Sequence, residues 1–188
     1  MRKKNFRYVI VIAVFTLSVL CAGCSSKKEA TNQEKQTVDL QALQEAMLKA
    51  DTTLPEMKVA MSTDEEAEEE FSVFSDFSYD RVQSFFYAYA ADGGCQEIAV
   101  VQLKEAGDAA ALMNTFKEHL KERHDALAVY QPEQVPLVDH AVIKQKGSLV
   151  TMIISEKNGL IQKVFEEMTS LLFTHNFLKH LLYQPILF

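Results

Sequence analysis

From Asp39 onward the apolar residues recur in two different periods. In "DLQALQEAMLKA", residues 39–50, Leu40, Leu43 and Met47 stand at i, i+3 and i+7 behind an aspartate suited to cap a helix. After Pro55, "STDEEAEEEFSVF" opens with capping residues and acids and continues with Phe71 and Phe74 three apart, which predicts a short helix with an acidic first turn. The period then changes to two. "VQSFFYAYA" (82–90) and "CQEIAVVQL" (95–103) read as strands joined by the Gly-rich "ADGG". In the first, Phe85, Tyr87 and Tyr89 share one face, and Phe86, Ala88 and Ala90 share the other.

Helical spacing returns in "DAAALMNTFKEHLKERHDAL", where Leu112, Phe116 and Leu120 line one side and charges the other. A proline-bearing loop, "YQPEQVP", leads to "LVDHAVIKQ" and "SLVTMIIS". These flank Lys146 and Gly147 and read as a second hairpin, with His140 inside its first strand. The last segment places Leu160, Ile161, Val164, Phe165 and Met168 at helical spacing, and an unusually apolar arc continues to Pro185. That tail reads as an added core helix, an interfacial helix against a membrane or partner, or a sticky end.

This order predicts an α+β fold in a single domain: an antiparallel sheet of about four strands in two hairpins, with helices packed mainly on one face. The expected organisation is a leader over 1–23 containing an N-terminal signal helix, a flexible tether over 24–38, the α+β domain over 39–170, and an apolar helical tail over 171–188. Roughly 150 residues suffice for one core and not for two.

The first seven residues carry Arg2, Lys3, Lys4 and Arg7 with no acid, followed by the apolar "YVIVIAVFTLSVL". A basic start, a short greasy run and a small-residue exit form an export signal, and the run falls short of the ~20 residues a spanning helix needs. "AGC" resembles the bacterial lipobox at Ala22, Gly23 and Cys24, so cleavage is expected between Gly23 and Cys24, with diacylglycerol on the Cys24 sulfur. Cys21 stands where leucine is usual.

Removing the leader takes away four positive charges and changes the formal charge from −7 to −11. Such a surface argues against nucleic acid and against electrostatic attachment to an anionic membrane, so lipid is expected to do the anchoring. Of three cysteines, only Cys95 remains unmodified in the mature chain, where it cannot form an internal disulfide.

Candidate chemistry is sparse. The row Phe85, Tyr87, Tyr89 is a possible binding face for a ring-shaped ligand, with a core face as the alternative reading. The acids 64–70 lack the alternating ligands and turn glycine of a calcium loop. His119 and His124 lie five apart on a helix and cannot share a metal as an i, i+4 pair can. Six glycines form no phosphate cradle, and no nucleophile elbow, paired-cysteine motif or His-Glu metal helix occurs. The expectation is no catalytic residue, no metal and no cofactor.

The tether, "VDLQAL", "SYDRVQSFFYAYAADGGCQEIAVVQLK", the "YQPEQ" loop and "AVIKQKGSLVTMIIS" together resemble an uncharacterised family of small lipoproteins from Gram-positive anaerobes, domain-of-unknown-function family 4358. The resemblance runs from the lipobox to about Glu167. It implies an exported, lipid-linked α+β domain and carries no activity or catalytic residues with it. The expected function is therefore a lipid-anchored, non-catalytic domain on the outer face of the cell membrane that binds a protein or peptide partner. The alternative is a small-ligand-binding or sensory lipoprotein.

Overall fold

The computed structural model describes residues 38–182, with side-chain surroundings given for residues 38–170. Leu40–Ala50 form α1, whose Asp39 cap accepts the Ala42 N–H at 3.0 Å. The remaining elements follow in chain order: β1 Met57–Met61, α2 Ala67–Ser72, β2 Val82–Ala90, β3 Glu97–Leu103, α3 Ala109–Tyr130, α4 Val135–Asp139, β4 Val142–Lys146, β5 Leu149–Ile154 and α5 Asn158–Leu182. The described residues thus make one α+β domain with five helices and a single five-stranded sheet, antiparallel throughout in the order β1-β2-β3-β5-β4.

Two expectations are corrected here. The sheet has five strands rather than four, because "MKVAM" pairs with β2 in the register Met57↔Ala90 to Met61↔Phe86. Helices also cover both faces of the sheet. On one side α2, the turn after it and α3 bring Phe71, Phe74, Leu112 and Phe116 onto Phe85, Tyr87, Ala99 and Val101. On the other, α1 and α5 bring Leu43, Met47, Ile161 and Phe165 onto Phe86, Ile98, Val100 and Ile153. Every residue of β3 and β5 is buried, as expected of central strands covered on both sides, Glu97, Gln102 and Thr151 included.

A third correction concerns "LVDHAVIKQ". Pro132 and Pro136 sit in the first turns of two short helical pieces, where a missing N–H costs nothing, and Leu137 to Asp139 are drawn into α4. His140 therefore lies just past a helix end, and the strand starts at Val142. Under the C-terminal half of α3, α4 closes a third cluster of Cys95, Leu127, Val138 and Ile154.

The helix α5 is unbroken from Asn158 to Leu182. No helix among the described residues is long and apolar enough to cross a membrane.

Candidate functional site

The leader, the cleavage position Gly23 and the anchor Cys24 lie outside the described residues. The candidate face does not. Phe85 and Tyr87 are fully buried and Tyr89 partly so. Phe74 stacks on Tyr87 with ring centres 4.4 Å apart, and Tyr87 stacks on Tyr89 at 5.2 Å. The row packs as a core face under α2 and α3, with Phe85 and Tyr87 buried. The helices of the acidic segment and "DAAALMNTFKEHL" supply that roof, which a strand pattern alone does not reveal.

At the end of this row is a polar cluster that the sequence reading missed. Glu97 shares the face of Ala99 and Val101, directly opposite Tyr89. Its side chain is 4% exposed. His119 Nε2 lies 2.6 Å from Oε2, and since a carboxylate only accepts, this nitrogen carries the proton. Arg123 Nε lies 2.8 Å from Oε1 without hydrogen-bond geometry, an ionic contact, while its Nη2 donates to the Gly94 carbonyl at 3.1 Å. The Tyr87 hydroxyl also bonds Glu97, and burial followed by the Glu97 charge pushes the phenol's pKa far up. The available signal was the i, i+4 spacing of His119 and Arg123 on one helical face. Its partner was an acid in phase with an apolar strand face.

Cys95 sits beside this cluster. Its N–H donates to the Gln134 side chain at 2.7 Å, and burial raises its thiol pKa even though Arg123 opposes the shift. A buried, protonated thiol is a packing group. His124 is half-buried near Asp125 and Asp139, apart from His119. Among the described residues no group of three or more His, Cys, Asp or Glu is placed to hold a metal ion.

A second polar cluster ties the two helices of the opposite face. Asp51, at the end of α1, accepts from Ser155 Oγ and from the Thr53 N–H at 2.8 Å, with Lys157 Nζ 4.0 Å away. Burial works against its charge, but the bonds from Ser155 and Thr53 and the Lys157 ammonium outweigh it, so its pKa falls below the ordinary aspartate value. Ser155 is thus a donor to a carboxylate. His140 Nδ1 is within 2.6 Å of the Pro136 carbonyl, which fixes the proton on Nδ1. Ser155 and His140 line one open groove of about 570 Å³ with Pro136, Leu137, Val142, Glu156 and Asn158. Asp51 bonds the serine directly rather than orienting the histidine, so this is not the relay of a serine hydrolase.

The sheet's two edges differ. Ser62 N–H bonds Phe85 O and Ala91 N–H bonds Glu56 O, so Met57, Val59 and Met61 turn their backbone groups away from β2. At Met61 both groups are closed: Asp64 Oδ2 takes the N–H at 2.7 Å, and the Asp64 N–H bonds the carbonyl at 3.0 Å. On the far edge, β4 and β5 are joined by Gly147 and Ser148, with Lys146 opposite Leu149. A two-residue turn makes that pair hydrogen-bonded, so Lys144 and Val142 also face β5 while Ile143 and Gln145 face outward.

A family model for a domain of unknown function, DUF4358, matches residues 56–155. Neither the curated proteins nor the solved structures yield a match. The matched segment is narrower than the resemblance read from the lipobox to Glu167. It takes in all five strands with α2, α3 and α4, and leaves α1 and α5 outside. Spanning more than half of the chain, this match settles the relationship: the chain belongs to the DUF4358 family.

Proposed function

We propose that this chain is a lipid-anchored extracytoplasmic domain of a Gram-positive cell envelope, without catalytic activity, that binds a protein or peptide partner. The lipid anchor is supported by the basic Arg2–Arg7 start, the short apolar run and the Ala22-Gly23-Cys24 exit. Partner binding is supported by one structural observation. Helices shelter both faces of the sheet, so the outward backbone groups of its edge strands are the surface it offers for directional recognition.

Two measurements test the parts separately. Intact mass spectrometry of the membrane-extracted protein should show a chain starting at Cys24 with added diacylglycerol, lost in Cys24→Ala. Retention of residues 1–23, or release without lipid, would sink the anchor. In-cell crosslinking followed by pull-down should recover a partner, and recovery of none above background would sink the binding role. A second reading, a small-ligand or sensory lipoprotein, draws support from the groove beside His140. It requires a thermal shift with a metabolite that His140→Ala abolishes.

A further inference from the structure

We infer that the partner is an extended segment of another protein that adds to the β4 edge of the sheet, carrying an acidic residue opposite Lys144 and an aliphatic residue two positions away at the mouth of the His140 groove. This rests on the partner-binding reading and adds to it the edge and the chemistry.

Backbone accounting leaves both edges open, and the groove beside β4 decides between them. An added strand needs free N–H and C=O groups at alternate residues. On β1, Asp64 occupies both groups of Met61, and Met57 and Val59 direct both their groups outward. On β4, Ile143 and Gln145 direct both their groups outward, and Ala141 adds a carbonyl, its N–H being bonded to Val138.

The choice of occupant follows from the side chains. Lys144, like Lys58 on β1, is exposed, and no ion pair among the described residues engages either. Across the outer edge Lys144 stands at a position where the opposite residue of an added antiparallel strand comes closest, about 4.5 Å between Cα atoms. An acid there gains a cross-strand pair, whereas a like charge is penalised. A second copy of this chain, docked so that Ile143 pairs with Gln145 of each copy, would set lysine against lysine. The surplus acid of the chain is concentrated between Asp64 and Glu70, beyond the opposite edge strand. Two residues before Lys144 on the same face, Val142 lines the groove with Pro136 and Leu137, an apolar side that accepts an aliphatic group, facing His140, Ser155, Glu156 and Asn158.

The test uses the full chain and a labelled peptide of about eight residues, a typical strand length, with glutamate and leucine two positions apart. A peptide with lysine in place of the glutamate is the comparison, and fluorescence anisotropy is the readout. Gln145→Pro removes an outward N–H, leaves the inner ladder intact and suits an edge strand. It should weaken the glutamate peptide about tenfold, the cost of a lost hydrogen bond and its geometry. Lys144→Glu should invert the preference between the two peptides. Val59→Pro, on the other edge, should change binding less than twofold. Circular dichroism verifies that each variant is folded.

Loss of binding on Val59→Pro with none on Gln145→Pro would place the site on β1 and overturn this inference while leaving strand addition standing. Failure of both peptides to bind would overturn it as well, as would a concentration-dependent dimer abolished by Gln145→Pro, which would make a second copy the occupant. If crosslinking in cells still recovers a partner in those cases, partner binding survives and only the β4 assignment falls.

Discussion

Glu97 on β3 and His119 on α3, 22 residues apart in sequence, meet at 2.6 Å with side chains 4% and 10% exposed. The carboxylate is held from three sides, by His119, Arg123 and Tyr87, and the helix is fixed to the sheet at that point. Removing one member of a buried charged cluster leaves the others without compensation. Glu97→Ala should therefore lower unfolding free energy by about 3 kcal/mol, measured by urea denaturation. A loss well under 1 kcal/mol would mean that water reaches the cluster and already screens it.

Acid stability should be governed in part by Asp51. Its folded-state pKa lies below the ordinary 3.8, so near that pH the unfolded chain binds more protons and stability rises with pH. The contribution is complete well above pH 3.8 and disappears as pH falls through the lowered folded-state value. Urea midpoints measured between neutral pH and the acid limb should fall less steeply for Asp51→Asn than for the wild type. Parallel curves would show that Asp51 is not a linked group.

The turn between β2 and β3 gives a purely conformational test. Gly93 has φ +83°, and an added Cβ would meet no atom within 4 Å. Gly93→Ala should cost about 1 kcal/mol through the left-handed backbone alone, visible as a lowered Tm. An unchanged Tm would mean that the turn relaxes to another conformation.

Phe165 tests whether α5 belongs to the core. It is fully buried with Ile161 against the sheet face of Phe86 and Ile153. Phe165→Ala should cost about 3–5 kcal/mol in chemical denaturation. A surface-like cost below about 0.5 kcal/mol would detach the helix from the domain.

Much of this architecture was legible where local pattern and tertiary environment agree. Leu40, Leu43 and Met47 are buried as their spacing predicts, Asp39 caps that helix, and the alternation of β2 separates Phe85 and Tyr87 from Phe86 and Ala88. The failures came where long-range packing decides. Five residues, Met57–Met61, carry too little pattern to announce a strand, and their role comes from pairing with β2. The β-branched residues around His140 suggested a strand, but proline at the start of α4 and packing on Leu127 favoured a helical turn. The aromatic row was correctly placed on one face, yet its burial depended on Phe74, eleven positions before Phe85 in the chain, folding back over it. The Glu97 cluster needed contacts between a strand and a helix that no local window contains.

The segment matched by the family model and the unit that closes its core do not share boundaries. Residues 56–155 carry the whole sheet, but one side of it, Phe86, Ile98, Val100 and Ile153, is roofed only by helices that lie outside that segment. Ser155, at its last position, bonds Asp51, which also lies outside. A fragment cut at 56 and 155 would present a continuous greasy plate to water and clump. The flanking helices act as the built-in solubiliser of this domain, and any workable boundary for its production begins before Leu40 and ends after Thr169.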